Sequence, residues 1–251
     1  MNVGAALLTL VVFITVTVLL VFLSRRLASG VEVGLRPLPS YLALKSQIGR
    51  AVENGRRVHF ALGRASLLGL ASPTSLASLT ALNSLARDGC ASGVPPLVTV
   101  GEGSLLPAAQ DSLRAGYRRA DRADEFSLAS AQFVAPESAP FAYAAGVTDL
   151  MVQQKVGSNL MLGRFGSELA LMSEAAVRAD TEQVIGSDDP VALSVGAAVT
   201  DHLIIGEELL AAHAYLEGRP QQLAAIQLQD LLRLIIVVLI LLAALVGIIA
   251  G

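Results

Sequence analysis

Val58-His-Phe-Ala-Leu62 is a short apolar run that stops at Gly63, gives way to a loop, and is followed by a helix near Pro73. The same unit recurs along the chain. Leu97-Val-Thr-Val100 stops at Gly101, and the next helix has Leu106, Ala109, Leu113 and Tyr117 on one face. Ala131-Gln-Phe-Val134 precedes a helix near Pro140, whose inward residues are expected to be Phe141, Ala145, Thr148 and Val152. Asn159-Leu-Met-Leu162 stops at Gly163, with a helix from about Ser167. Gln183-Val-Ile185 stops at Gly186, and Asp189-Pro190 is a suitable cap and first-turn pair for the helix after it. His202-Leu-Ile-Ile205 stops at Gly206 before one more helix. In the helix after the first strand, Leu76, Leu79, Leu82 and Leu85 have helical spacing.

Strands alternating with helices are the pattern of βαβ units and a mainly parallel sheet. Strands this short and this apolar suit a sheet covered on both faces. The expected fold is therefore α/β: a doubly wound, mainly parallel, Rossmann-like three-layer domain over residues 41–218. A helix from Tyr41 to Asn54 opens it, with Leu42, Ile48 and Val52 as a buried stripe and Gly55 as its stop.

The flanks differ from this centre. Residues 1–23 contain an apolar run, Val3 to Leu23, of membrane-spanning length. The competing reading is a cleaved signal peptide, but that needs a positive residue before the run and a cleavage site after it. Here Arg25 and Arg26 follow at once. Residues 24–40 read as a linker punctuated by Gly30, Gly34, Pro37 and Pro39. Residues 219–251 read as a juxtamembrane helix continuous with a second transmembrane helix. Pro220 suits its first turn, and Leu234 to Ala250 carries no charge and no hydrogen-bonding side chain. Between them, Gln221 to Arg233 is amphipathic and lacks Gly and Pro, so one unbroken rod is expected from Gln221 to at least Ile248. Arg25, Arg26, Arg219 and Arg233 all lie on the domain side of the spans, which predicts a two-pass inner (plasma) membrane protein with both termini outside and the central domain cytoplasmic.

Composition narrows function more than it defines it. The net charge of -3 provides no basic field for a nucleic acid polymer, and lysine occurs only at Lys45 and Lys155. A single cysteine, Cys90, excludes an intrachain disulfide and a cysteine-based zinc site; it falls in an expected loop with no partner histidine. His59 sits in an apolar strand and reads as a satisfied core residue. No GxSxG, GxxxxGK[ST] or HExxH pattern is present, so no catalytic residue, metal site or cofactor is assigned.

In doubly wound folds, ligands bind beyond the carboxyl ends of the strands, where strand order reverses. Two features lie there. Gly101-Glu-Gly-Ser104 follows a strand and opens a helix, so the amides near Gly101, Gly103 and Ser104 could hold an anion. The third glycine of a dinucleotide fingerprint is replaced by Leu106, and the strand is the second rather than the first, so a tight strand-to-helix turn is the simpler reading. Leu-Gly-Arg also ends two strands, at Leu62-Gly63-Arg64 and Leu162-Gly163-Arg164. If the strand order is 3-2-1-4-5, Arg64 and Arg164 would share one cleft, with forks suited to phosphate or carboxylate. Rim salt bridges are the simpler role. The acidic pairs Asp188-Asp189 and Glu207-Glu208 suit helix capping better than a divalent cation.

With Val58-His-Phe-Ala-Leu-Gly-Arg-Ala-Ser66, Ser72-Pro-Thr-Ser-Leu-Ala-Ser-Leu79 and Val100-Gly-Glu-Gly-Ser-Leu-Leu106 in view, the chain resembles an uncharacterised bacterial membrane-protein family known only as a domain of unknown function. That resemblance implies no reaction and transfers no functional residue. The leading expectation is a membrane-anchored, non-enzymatic α/β domain protein acting in assembly or partner presentation. Its partners would be the lipid bilayer and either a second copy or another membrane protein. Small residues in both spans, such as Gly4 and Ala244, permit close helix packing. The alternatives are a membrane-tethered sensor that takes a nucleotide or other small anionic ligand in the crevice, and an enzyme of unknown reaction.

Overall fold

The structure, a computed structural model, describes residues 3–29 and 34–250. It contains two compact units: Pro37–Leu216, and the two terminal segments Met1–Arg36 with Glu217–Gly251. The terminal unit begins with α1 (Val3–Ala28), which continues past Leu23 through Arg25 and Arg26. Gly30, expected to punctuate the linker, lies outside the described residues.

The central unit runs α2 (Pro39–Asn54), β1 (Arg57–Gly63), α3 (Ser72–Ala91), β2 (Leu97–Val100), α4 (Leu105–Arg119) and two 3-10 turns to β3 (Ala131–Phe133). It continues through α5 (Pro140–Gln153), β4 (Val156–Arg164), α6 (Leu169–Arg178), β5 (Glu182–Ser187), α7 (Pro190–Val199) and β6 (Leu203–Ile205). Two short helices, α8 (Glu207–Leu210) and α9 (Ala212–Leu216), close it. In the terminal unit, α10 (Pro220–Ala250) is one unbroken helix that packs beside α1. Both α1 and α10 are long and apolar enough to cross a membrane.

All six strands are parallel, in the order β3-β2-β1-β4-β5-β6. The order reverses between β1 and β4, so the chain winds outward in one direction and then restarts in the other. The two sheet faces have separate cores. Phe60, Leu62, Val98, Leu160 and Val184 pack with α2, α3 and α4 residues such as Leu44, Leu82 and Leu113. Ala61, Met161 and Ile185 pack on the opposite face with Tyr143, Val147 and Met172 from α5 and α6. Each large side chain fully buried in these layers contributes about 1.5–3 kcal/mol.

Local signals end the elements as the residues dictate. Gly55 caps α2 with φ of 61°, a left-handed conformation that glycine adopts without a Cβ penalty. Asp189 accepts hydrogen bonds from the amides of Val191 and Ala192, with Pro190 in the first turn of α7. Tyr41 and Tyr215 stack with ring centroids 4.8 Å apart, and Tyr41 donates to the Glu208 carbonyl. The two chain ends of the central unit are thereby held together.

Three expected faces are corrected. In α2 the buried residues are Tyr41, Leu44, Ile48 and Ala51, whereas Leu42 and Val52 are exposed. In α3, Leu76 is exposed while Leu79, Leu82 and Leu85 are buried. In α5 the buried face is Tyr143, Ala144, Val147 and Met151; Phe141, Ala145 and Val152 face outward. The reason is common to all three. A helix with apolar residues on two faces has a period but no unique phase, and strand contacts choose the phase. Cys90, expected in a loop, is buried in the last turn of α3.

Candidate functional site

The carboxyl ends of β1 and β4 form the point of strand-order reversal. Gly63 pairs with Arg164 across the ladder, and the Arg64 amide donates to the Arg164 carbonyl at 3.1 Å. A Cβ on Gly63 would lie 2.5 Å from the Arg164 carbonyl oxygen, and one on Gly163 would lie 2.2 Å from that of Leu62. The repeated Leu-Gly-Arg thus has a reciprocal steric cause: each glycine lets the other strand's backbone approach. The expected neighbourhood of Arg64 and Arg164 exists at the backbone level.

The two side chains differ. Arg64 donates from Nε to Glu168 Oε1 at 2.8 Å and from a terminal nitrogen to the Glu137 carbonyl at 2.7 Å. Their side-chain exposures are 16% for Arg64 and 2% for Glu168, and Glu168 also accepts the Gly166 amide. Arg64 therefore neutralises a buried carboxylate of its own domain. Arg164 is exposed and has no ion-pair partner among the described residues.

Gly101 serves Arg64. A Cβ there would lie 2.5 Å from Arg64 Cγ and 3.1 Å from Tyr143 Cδ2. Gly103 has open space where a Cβ would sit. Ser104 is turned inward on its own loop: its amide and its hydroxyl both donate to the Glu102 carboxylate, and its Oγ accepts the Leu67 amide. The start of α4, where an incoming anion was expected, is occupied by Glu102. The adjoining cavity is lined by Glu102, Glu137, Phe133 and Pro136, a wall with negative charge.

The other acidic groups have structural partners. Asp188 accepts from Thr74 Oγ1 at 2.8 Å, Asp189 caps α7, and Glu208 accepts the Ile205 amide. Among the described residues, no cluster of three or more His, Cys, Asp or Glu side chains is placed to hold a metal ion.

This geometry belongs to a chain that matches, over residues 2–251, the family described as Domain of unknown function (DUF6754). The protein is a DUF6754 family member. No curated protein and no solved structure matches it.

Two further groups of this DUF6754 chain have the polarity of chemistry but the setting of structure. His59 is fully buried, with Nδ1 2.6 Å from Asn159 Oδ1 and Nε2 2.8 Å from Thr99 Oγ1. Burial pushes its imidazole down to about 4, against the Asn159 hydrogen bond, so it is neutral at pH 7. An amide oxygen only accepts, so Nδ1 carries the proton and Nε2 accepts from Thr99. Burial likewise pushes the Cys90 thiol up to about 11, far from the thiolate a nucleophile needs.

The sequence reading missed a third feature. Between the outer faces of α5 and α6 runs a groove of about 700 Å³, with Ala145, Thr148, Val152, Leu171 and Ala175 among its lining. Phe141 is 56% and Val152 67% exposed. Thr148 Oγ1 is buried without a hydrogen-bond partner. In the sequence this face shows only as apolar spacing at Phe141, Ala145, Thr148 and Val152, which is also the pattern of a buried stripe.

Proposed function

We propose that this protein is a membrane-anchored, non-enzymatic α/β domain protein that assembles with copies of itself. The strand order and the two helical layers support a doubly wound, Rossmann-like reading of the central unit. The length and apolarity of α1 and α10 support two membrane spans. Arg25, Arg26, Arg219 and Arg233 favour both termini outside a plasma membrane and the central unit in the cytoplasm.

The observation that carries assembly is the outward stripe of α5. Phe141, Ala145, Thr148 and Val152 follow 4-3-4 spacing, the seam by which one helix packs on another. The rim of the groove is nearly charge-balanced, with Arg178 paired to Glu174 and Asp149 accepting from Gln153, so little unpaired like charge opposes a second copy related by a twofold axis. Helices of 14 and 10 residues offer less than the roughly 800 Å² per partner of a standard interface. Anchoring compensates, because confinement to one membrane raises the effective concentration of the second copy.

The sensor reading at the strand-order reversal has less support, since Glu168 holds Arg64 and Glu102 holds Ser104, which leaves Arg164 as the one unpaired cation of the proposed group among the described residues. An enzymatic reading has no nucleophile, base or metal cluster behind it among the described residues. Light scattering on the full-length protein in mild detergent tests assembly. We expect a dimer or larger species, converted to monomer by Val152→Glu. A monomeric wild type, or an assembly indifferent to Val152→Glu and Phe141→Asp together, would sink the reading.

A further inference from the structure

The opposite end of the sheet carries what the crevice lacks. A pocket of about 580 Å³ opens at the N-terminal ends of β1, β2 and β3, a size within the range of small-molecule sites, roughly 300–1,000 Å³. Its walls come from the end of α2, the loop before β2, the 3-10 turns before β3, and the end of α5. Arg56 and Arg57 line it. Neither guanidinium has an ion-pair or hydrogen-bond partner among the described residues. Glu125 also lines the pocket, but Arg122 holds its carboxylate through two nitrogens, and that hydrogen bonding keeps its pKa below the ordinary carboxylate range. The uncompensated charge of the pocket is therefore that of the two arginines.

The placement of these arginines is built into the backbone. The left-handed turn at Gly55 ends α2 and delivers Arg56 to the position just before β1 and Arg57 to its first position. Across the ladder, a Cβ on Gly157 would lie 2.6 Å from Arg56 Cβ and 2.8 Å from its Cδ. Glycine at 157 thus makes room for the Arg56 stem. The remaining lining divides in two. Val94, Pro95 and Pro96 give an apolar wall. Ser130, Gln132 and Gln154 give a polar one, in which the Gln154 side chain has no hydrogen-bond partner among the described residues. Gln132 donates from Nε2 to the Ala129 carbonyl and keeps its oxygen free.

We propose that this pocket binds a phosphorylated small molecule, with its phosphate on Arg56 and Arg57 and its body between the Val94–Pro96 wall and the glutamines. Two guanidinium groups match a phosphate dianion better than a single carboxylate, because each offers a planar fork of donors. The apolar wall with facing amides suits a ring bearing hydroxyl or amino groups. The site is distinct from the assembly face and lies at the other end of the strands from Arg64 and Arg164.

Calorimetry on the full-length protein in detergent, with AMP, inorganic phosphate and adenosine as probes, tests this. AMP should bind most tightly, phosphate more weakly, and adenosine not measurably. Arg56→Ala with Arg57→Ala should weaken AMP by about tenfold to a hundredfold, the loss expected for charge-assisted hydrogen bonds. Gly157→Ala keeps both charges but displaces the Arg56 stem, so it should weaken AMP by a smaller factor. Arg164→Ala should leave AMP affinity unchanged. The proposal fails if neither AMP nor phosphate binds at millimolar concentration, if adenosine binds as well as AMP, or if the double arginine variant retains wild-type affinity. It also fails if Arg164→Ala is the substitution that removes binding.

Discussion

Arginines at the two ends of this sheet meet different surroundings. At the carboxyl ends, Arg64 is clamped between the Glu168 carboxylate and the Glu137 carbonyl, and Glu102 closes the start of α4. At the amino ends, Arg56 and Arg57 line an open pocket with no carboxylate of their own. Topology makes the first end the customary place for a ligand. Charge balance among the described residues separates the ends further: exposed Arg164 is unpaired at the first, where the cavity wall is acidic, whereas Arg56 and Arg57 are both unpaired and both line the pocket at the second. Strand order locates a crevice, but the partners of each side chain decide whether anything is left to bind.

The largest expected effect sharpens that contrast at the carboxyl end. Arg64→Ala strands Glu168, which is almost fully buried, and should cost about 3–5 kcal/mol of stability, the usual result of removing one partner from a buried ion pair. Thermal unfolding would show this as a large drop in Tm. If Arg64→Ala unfolds like wild type, the two ends are not different in the way described.

Between the ends, His59 gives a pH signature. Its folded value, about 4, lies below its ordinary 6.5, so between these pH values the unfolded chain binds a proton that the native one does not. Stability is unaffected above pH 6.5 and should fall by about 3 kcal/mol as pH drops to 4. His59→Gln should flatten that slope in unfolding curves taken across the interval. An unchanged slope would mean that His59 is not the buried neutral group described.

Smaller effects complete the comparison. Asp189→Ala removes the cap of α7 near the carboxyl ends and should cost about 1 kcal/mol in denaturant unfolding. Arg56→Ala and Arg57→Ala, which break no ion pair or side-chain hydrogen bond among the described residues, should each change stability by less than about 0.5 kcal/mol. A larger loss for either would show that these arginines are structural, as Arg64 is.

How much of this was legible in the sequence follows from what each signal encodes. Six apolar runs stopped by glycine or a turn were enough for an α/β sheet, because a strand covered on both faces has little alternative composition. Asp189-Pro190 and Gly55 were readable for the same reason: cap geometry needs those residue types. The faces of α2 and α5 were not readable, since Leu42 and Phe141 are as apolar as the residues that are buried. The duplicated Leu-Gly-Arg is plain in the sequence, but its cause lies in strands β1 and β4 running side by side, with Gly63 under the Arg164 carbonyl and Gly163 under that of Leu62. Glu168 and Glu137, which occupy Arg64, lie 104 and 73 residues further along the chain, with no local pattern linking them to it. The amino-end pocket was invisible because it is assembled from five separate segments, around residues 51–57, 93–97, 117, 125–132 and 154.

Hydrogen–deuterium exchange on the full-length protein with and without saturating AMP tests the contrast between the two ends most directly. The account predicts added protection in residues 55–57, 93–97 and 127–132, with residues 101–104 and 164–168 unchanged. Protection confined to residues 101–104 and 164–168 would contradict it and return the binding site to the point where strand order reverses.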